Sequence, residues 1–205
     1  MSAETGEALK TLMEQAQAHL KEGAFEEAVE AFSACLVMSP RQAKAYQGRG
    51  LARLQLKEWE QAASDFARAK DIDPDDLENW IGLGISLASN ERVYEAIDVF
   101  DGLLKKNPRS ARGHIQAGLL YFKLCIPAKG RKHMEAALQC RPTPAERRFI
   151  ESVLKEESAL DKKRYHRPDF EELRRKNTGG ISFHWMDRVA RFFKTLFQGS
   201  SSKTG

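Results

Sequence analysis

Side chains that commonly carry chemistry are scattered along this sequence of 205 residues rather than grouped. The histidines are His19, His114, His133, His166 and His184, and the cysteines are Cys35, Cys125 and Cys140. No histidine stands at metal-ligand spacing from another histidine or a cysteine, and no phosphate-binding glycine loop or serine-nucleophile motif occurs. The adjacent carboxylates Asp75 and Asp76 follow a proline and are expected to cap a helix. We therefore predict a non-enzymatic protein that holds no metal ion and no cofactor.

The composition is that of a folded protein from a reducing compartment. Charged residues make up 30 % of the sequence and hydrophobic residues 41 %, which is ordinary for a globular chain. No uncharged apolar run reaches the roughly 18 residues that a transmembrane helix needs. The first residues lack the basic start and apolar centre of a signal peptide. Because the cysteines are odd in number and form no CxxC pair, reduced thiols and a cytoplasmic location are expected.

Charge is distributed unevenly along the chain. Residues 1–161 carry a net charge of −3, whereas residues 162–205 carry +7. The sequence changes character at the same place, which indicates a body followed by a basic arm.

Prolines recur with a period of 34 residues, at Pro40, Pro74, Pro108 and Pro142. Other positions repeat in step with them when the chain is cut into units 9–42, 43–76, 77–110 and 111–144. Position 8 holds Ala16, Gly50, Gly84 and Gly118, position 20 holds Ala28, Ala62, Ala96 and Gly130, and position 24 holds Phe32, Phe66, Phe100 and Met134. Small residues allow two helices to approach closely, the side chain at position 24 fills the space between units, and proline ends a helix.

This pattern resembles the tetratricopeptide repeat family, whose 34-residue unit is a pair of helices. The third unit matches best, with Trp80, Leu83, Gly84, Ala96 and Phe100 at signature positions. The resemblance covers residues 9–144 and implies an all-α fold, a right-handed solenoid of antiparallel helix pairs. The remaining segments are expected to be a capping helix at 145–164, a basic linker at 165–182, an amphipathic helix at 183–198 and a disordered tail at 199–205.

The resemblance also implies a binding groove, because the first helix of each family unit lines a concave face with its positions 2, 5, 9 and 12. The expected groove residues are Met13, Gln17, Lys44, Gln47, Leu51, Ile81, Ile85, Arg112, Ile115, Leu119 and Phe122. The apolar members of the third and fourth units are expected to form an exposed patch suited to a peptide or an amphipathic helix. The alternative is that some of them pack between units.

Two kinds of partner are disfavoured. Family members that hold the C-terminal carboxylate of chaperones use a clamp with asparagines, whereas positions 9 and 6 here hold Gln17, Leu51, Gly48 and Gly82. Nucleic acid would be attracted by the basic arm, but no recognised nucleic-acid-binding fold accompanies that arm.

The segment 183–198 places its large apolar side chains in one sector of a helical wheel, with basic residues opposite. These side chains are Trp185, Met186, Val189, Phe192, Phe193, Leu196 and Phe197. An isolated helix of this length is marginal in water, so we expect it to need a surface. Four surfaces remain open: the protein's own solenoid, in particular its groove, a partner protein or a second copy of the chain, an anionic membrane, and nucleic acid.

The sequence therefore predicts an adaptor or assembly factor that binds a peptide or helix in its concave groove, with regulation by its own segment 183–198. The alternative is a peripheral membrane adaptor that is attached through the same segment.

Overall fold

A computed structural model describes residues 3–165 of the chain, and the surroundings of side chains 6–161. This part is all-helical. Its helices are α1 (Ala3–Glu22), α2 (Phe25–Met38), α3 (Ala43–Gln55), α4 (Trp59–Ile72), α5 (Leu77–Ser89), α6 (Val93–Lys106), α7 (Ala111–Lys123), α8 (Pro127–Gln139) and α9 (Pro144–Tyr165). The chain separates into two units, Met1–Glu157 and Ser158–Gly205, and α1 to α8 all belong to the first.

The eight helices of that first unit form hairpins, α1/α2, α3/α4, α5/α6 and α7/α8, and each hairpin packs on the next. Each predicted 34-residue unit contains one hairpin, although α1 begins at Ala3, ahead of the expected start at residue 9. The first helices α1, α3, α5 and α7 also contact one another in sequence, which makes them a continuous row. The expected all-α fold of stacked helix pairs is confirmed.

Prolines set the ends of the second helices, as expected. Pro40, Pro74 and Pro108 follow the C-caps of α2, α4 and α6 directly, because proline cannot donate the next helical hydrogen bond. Asp76 caps α5 by accepting from the backbone N–H of Glu78 at 3.0 Å, which confirms its predicted capping role. Asp75 has a different contact, an ion pair with Lys106 at 2.6 Å.

The turn inside every hairpin has the same geometry. One residue with positive φ occupies position 15 of each unit: Gly23, Lys57, Glu91 and Cys125. The next residue donates its backbone N–H across the turn at 2.9 Å each time, for example from Glu58 to the carbonyl of Arg53. This is the helix-ending arrangement that glycine usually serves, because glycine enters the left-handed region without a steric cost.

The core is built from the repeated residues. Phe32, Phe66, Phe100 and Met134 are fully buried. The Phe66 ring lies against Gly50 of its own hairpin and against Gly82 of the next, where an added methyl group would collide with it. The small residue at position 8 therefore leaves room for the phenylalanine ring and allows the two helices to approach closely, as the sequence predicts. The glycine at position 6 has a matching role between hairpins, which the sequence analysis did not anticipate.

The helix α9 begins with a reciprocal cap. The backbone N–H of Thr143 donates to the Glu146 carboxylate at 2.8 Å, and the backbone N–H of Glu146 donates to the Thr143 hydroxyl at 3.3 Å. Ile150 is fully buried and Leu160 is 44 % exposed, so the apolar stripe of α9 is covered only in its first part. The predicted linker, amphipathic helix and tail from residue 166 onwards lie outside the described residues.

Candidate functional site

The candidate site is the row of first helices, which carries all the residues expected to line a groove. The structure separates these residues into three groups: a polar edge at positions 2 and 5, a half-buried apolar strip at positions 9 and 12, and buried side chains. Gln17 and Lys44 are exposed, whereas Met13, Gln47 and Arg112 are partly covered.

The expected apolar patch is wrong in three of its members. Ile81, Ile115 and Leu119 are 2 %, 1 % and 5 % exposed, so they offer almost no surface to a ligand. Ile81 belongs to the same core cluster as Phe66. Burial of a side chain of this size stabilises the fold by about 2 kcal/mol relative to leaving it exposed. Ile81 therefore follows the alternative expectation, in which some of these residues pack between units rather than face a ligand.

A narrower strip of half-buried apolar side chains remains along the row. Leu51, Leu54, Ile85 and Ala88 pack on the core with one side and are partly exposed with the other. Phe122 on α7 is also partly exposed, and one part of its ring lies against Gly130 of α8. These residues occupy positions 9 and 12 of successive units, so the strip crosses α3, α5 and α7.

The polar edge of the row is tied together across the second and third hairpins. Lys44 pairs with Asp76 at 2.7 Å, and the Gln47 amide donates to Asp76 at 3.0 Å and to the buried Asn79 at 2.9 Å. Burial alone would raise the pKa of Asp76, but hydrogen bonds from Lys44, from the backbone of Glu78 and from Gln47 outweigh it. The pKa of Asp76 therefore lies below its ordinary value of 3.8.

The same edge continues into the fourth hairpin through an ion pair between Arg112 and Glu78, which are 34 residues apart at position 2 of adjacent units. Both of these basic residues are therefore paired: Lys44 with Asp76, the N-cap of α5, and Arg112 with Glu78 of the preceding unit. Lys44 remains 61 % exposed despite its pairing, so it can still contact a ligand.

A buried charge cluster that the sequence analysis missed lies inside the second hairpin. Asp65 on α4 is 2 % exposed and accepts from Arg49 at 2.7 Å and 3.0 Å and from Arg53 at 2.7 Å. Arg49 also donates to the Ser33 hydroxyl at 3.0 Å, which connects the cluster to the first hairpin. The sequence did carry a signal for this cluster: position 23 holds an aspartate in the second unit but a valine in the third.

The equivalent place in the third hairpin is an open cleft of about 490 Å³. Its apolar lining includes Ala63, Ala67, Leu83, Leu87 and Val99, and its rim carries Glu60, Arg92, Glu95 and Asp98. The carboxylate of Glu95 pairs with Arg92 at 2.6 Å.

The fourth hairpin contains two histidines that the sequence placed 19 residues apart. The Nδ1 atoms of His114 and His133 are 3.2 Å apart, and Nε2 of His114 lies 3.1 Å from the Pro108 carbonyl. Burial lowers the pKa of His133 below its ordinary value of 6.5, and His114 lowers it further, while Asp101 opposes them. Contacts with Pro108 and His133 thus orient the His114 ring.

Within residues 3–165, no three histidine, cysteine or carboxylate side chains group as metal ligands, and no helix is long and apolar enough to cross a membrane. The segment with Trp185, Phe192 and Phe193 lies beyond this range.

A stack of 34-residue helix hairpins with phenylalanine against glycine defines the class of helical repeat proteins. Residues 13–76 match the family model described as Tetratricopeptide repeat. Residues 13–76 therefore match tetratricopeptide repeats, and the resemblance found in the sequence is confirmed for these residues.

Solved structures share this fold. A crystal structure of MamA has a TM-score of 0.61 and 21 % identity, covering 64 % of this chain and 77 % of that one. The Arabidopsis OM64 TPR domain has a TM-score of 0.55 and 24 % identity, covering 58 % and 98 %. The second TPR domain of human RPAP3, solved in complex with an HSP70 peptide, has a TM-score of 0.54 and 18 % identity, covering 57 % and 97 %. No curated protein matches the chain in sequence.

Proposed function

We propose that this protein is a non-enzymatic adaptor that binds a peptide or helix of another protein along the row of α1, α3, α5 and α7. The observation that carries the proposal is the half-buried strip of Leu51, Leu54, Ile85 and Ala88 beside a polar edge. A ligand that covers the strip would remove further apolar surface from water, and Lys44 and Gln47 would orient its polar groups.

The comparisons support the class of function but not the ligand. The RPAP3 domain, which shares the fold, was solved with the peptide SGPTIEEVD. An acidic chaperone peptide of that kind is not the expected ligand here, because Gln17 and Leu51 occupy the position 9 sites where the family's carboxylate clamp carries asparagine. An amphipathic helix suits the strip better, since its apolar face would match a run of leucine, isoleucine and alanine.

Site-specific photo-crosslinking tests this proposal without knowledge of the partner. A photoreactive phenylalanine derivative replaces Leu51 or Ile85 on the strip, and in the matched control it replaces Tyr94, which is 74 % exposed on α6. We expect crosslinks to a second polypeptide in cells from positions 51 and 85 but not from 94. Equal crosslinking from position 94, or none from the strip, would overturn the proposal.

The same experiment tests regulation by the chain's own arm. The apolar sector of 183–198, with Trp185 and Phe193, has the chemistry of a ligand for the strip. Digestion and mass spectrometry of the crosslinked product would then recover 183–198 joined to position 85. Recovery of only foreign peptides from position 85 would remove this part of the proposal.

The alternative, attachment to a membrane, is supported by the basic residues Arg188, Arg191 and Lys194 opposite the apolar sector. Co-sedimentation with vesicles of 70 % phosphatidylcholine and 30 % phosphatidylserine compares the full chain with a chain ending at residue 180. Loss of binding on truncation is expected if this alternative holds. Equal sedimentation of the two chains would reject it.

A further inference from the structure

The pair His114 and His133 lies between α7 and α8 and has no role in the adaptor proposal. Their Nδ1 atoms are 3.2 Å apart, their ring centroids are 5.4 Å apart, and their planes differ by 44°. Each ring is partly buried. Two imidazole nitrogens thus approach each other in a place with limited access to water.

The orientation of both rings is fixed by their other contacts. Nε2 of His114 lies 3.1 Å from the Pro108 carbonyl, which can only accept, so this nitrogen carries the hydrogen. A neutral His114 therefore presents a lone pair at Nδ1. The ring of His133 stacks on Tyr121 with centroids 5.3 Å apart and planes 20° apart, which leaves its Nδ1 directed at His114.

We propose that His114 and His133 form a two-imidazole site for a divalent transition-metal ion of the Zn²⁺ class, bound between the two Nδ1 atoms. Zinc–imidazole bonds of about 2.0–2.1 Å in tetrahedral geometry place two nitrogens roughly 3.3 Å apart, close to the spacing seen here. The Pro108 carbonyl on Nε2 of His114 is the kind of outer contact that metal-binding histidines usually have.

Binding requires one proton to move within the site. Without metal, the Nδ1–H of His133 donates to Nδ1 of His114. When the metal ion replaces this shared hydrogen, the His133 proton moves from Nδ1 to Nε2, and both histidines stay neutral. No other bond changes, and water supplies the remaining ligands, because within residues 3–165 no third ligand side chain joins the pair.

The surrounding charges partly cancel. Asp101 faces His133 and favours a cation, whereas Lys129 and Lys132 oppose one. The ammonium group of Lys129 lies over the Tyr121 ring, 5.1 Å from its centroid. A bound ion would bridge α7 and α8 and so hold the fourth hairpin together.

Zinc titration of the full-length protein, stripped with a chelator, against a colorimetric zinc indicator tests the site at pH 7.5. We expect one zinc ion per chain, at least tenfold weaker binding for His114→Gln and for His133→Gln, and no change for the matched control His19→Gln on α1. Cys140→Ser should also bind as the wild type does, since the Cys140 thiol donates to the Pro108 carbonyl, at 4.0 Å, and a serine hydroxyl can do the same.

A spectroscopic measurement keeps the test independent of the folding of the variants. Cu²⁺ added to the wild-type chain should give an electron paramagnetic resonance spectrum with splitting from two imidazole nitrogens. Unchanged zinc binding by His114→Gln, or a copper spectrum without two nitrogens, would overturn the proposal. Absence of zinc binding by the wild type at about 100 µM zinc would also overturn the proposal and leave the pair as a hydrogen bond.

Discussion

The second and third hairpins differ at the same place between their two helices, which is charged in the second and apolar in the third. Positions 7, 11 and 23 hold Arg49, Arg53 and Asp65 in the second hairpin and Leu83, Leu87 and Val99 in the third. In the second, a buried carboxylate is held by two guanidinium groups, whereas in the third, aliphatic side chains line an open cleft.

This difference shows which parts of the repeat are fixed. Both hairpins place phenylalanine against glycine and both make the same turn, so the backbone does not depend on the chemistry at positions 7, 11 and 23. The charged version is interdependent, because a buried carboxylate needs its partners. The aliphatic residues of the third hairpin do not depend on one another in this way, since each contributes stability in proportion to its own buried area.

The largest expected effect comes from removing the buried carboxylate. Asp65→Ala leaves two arginines, 17 % and 20 % exposed, without their main partner, and should lower the free energy of unfolding by about 3 kcal/mol. Urea unfolding followed by circular dichroism measures the change. The matched variant in the third hairpin, Val99→Ala, should cost only about 1 kcal/mol, as expected for a small and partly exposed side chain. Equal losses would show that the cluster is not interdependent.

The shared backbone spacing is tested by Gly82→Ala. The new methyl group would push against the fully buried Phe66 ring, and this overpacking should cost about 2 kcal/mol despite the better helix propensity of alanine. Gly6→Ala in α1 is the control, because nothing lies within 4 Å of the added methyl group. It should leave stability unchanged or raise it by up to about 1 kcal/mol. The contrast fails if both variants behave alike in urea unfolding.

The comparison is sharpened by copying one hairpin into the other. The triple variant Arg49→Leu, Arg53→Leu, Asp65→Val gives the second hairpin the residues of the third. Replacing a buried ion cluster with hydrocarbon of similar volume is often stabilising, and we expect a gain of about 1–2 kcal/mol in the free energy of unfolding. A loss of similar size in thermal and urea unfolding would mean that the ions are needed for the fold.

The smallest effect is expected where the two hairpins meet, at Asp76. Asp76→Ser keeps a cap of the kind that Ser110 gives α7 but loses the contact with Lys44, for a cost of up to about 1 kcal/mol at pH 7. Because the folded-state pKa of Asp76 lies below 3.8, its stabilisation is present above that pH and is lost as the pH falls through the lowered pKa. Unfolding measured at pH 7 and pH 2.5 should therefore show the difference shrinking in acid. A difference that stays constant would exclude the carboxylate as its source.

The fold could be predicted from the sequence because its signals repeat. A single proline or phenylalanine carries little information, but Pro40, Pro74 and Pro108 in step with Phe32 and Phe66 leave few alternatives to a stacked hairpin. Pro127 lies inside the fourth unit without interrupting the repeat, because it takes the first turn of α8, where its missing N–H costs nothing.

The site was harder to predict because exposure changes over roughly 40° around a helix, the offset between residues four positions apart. Ile81 and Ile85 lie one turn apart on α5, yet only the second is partly open to solvent. The contacts between Arg49 and Asp65 and between His114 and His133 join helices that meet only in the folded hairpin. Their spacings match no motif, so the structure was needed to find them.

The repeated turn has one more consequence. Three of the four hairpins keep a residue with a side chain where the backbone is left-handed, at a cost of roughly 1 kcal/mol each. Geometry rather than residue type dictates that corner, since glycine, lysine, glutamate and cysteine each occupy it in this chain. Replacing Lys57 or Cys125 with glycine would remove this strain and stabilise the fold, whereas Glu91 also carries an ion pair with Lys123 at 3.7 Å that its replacement would lose.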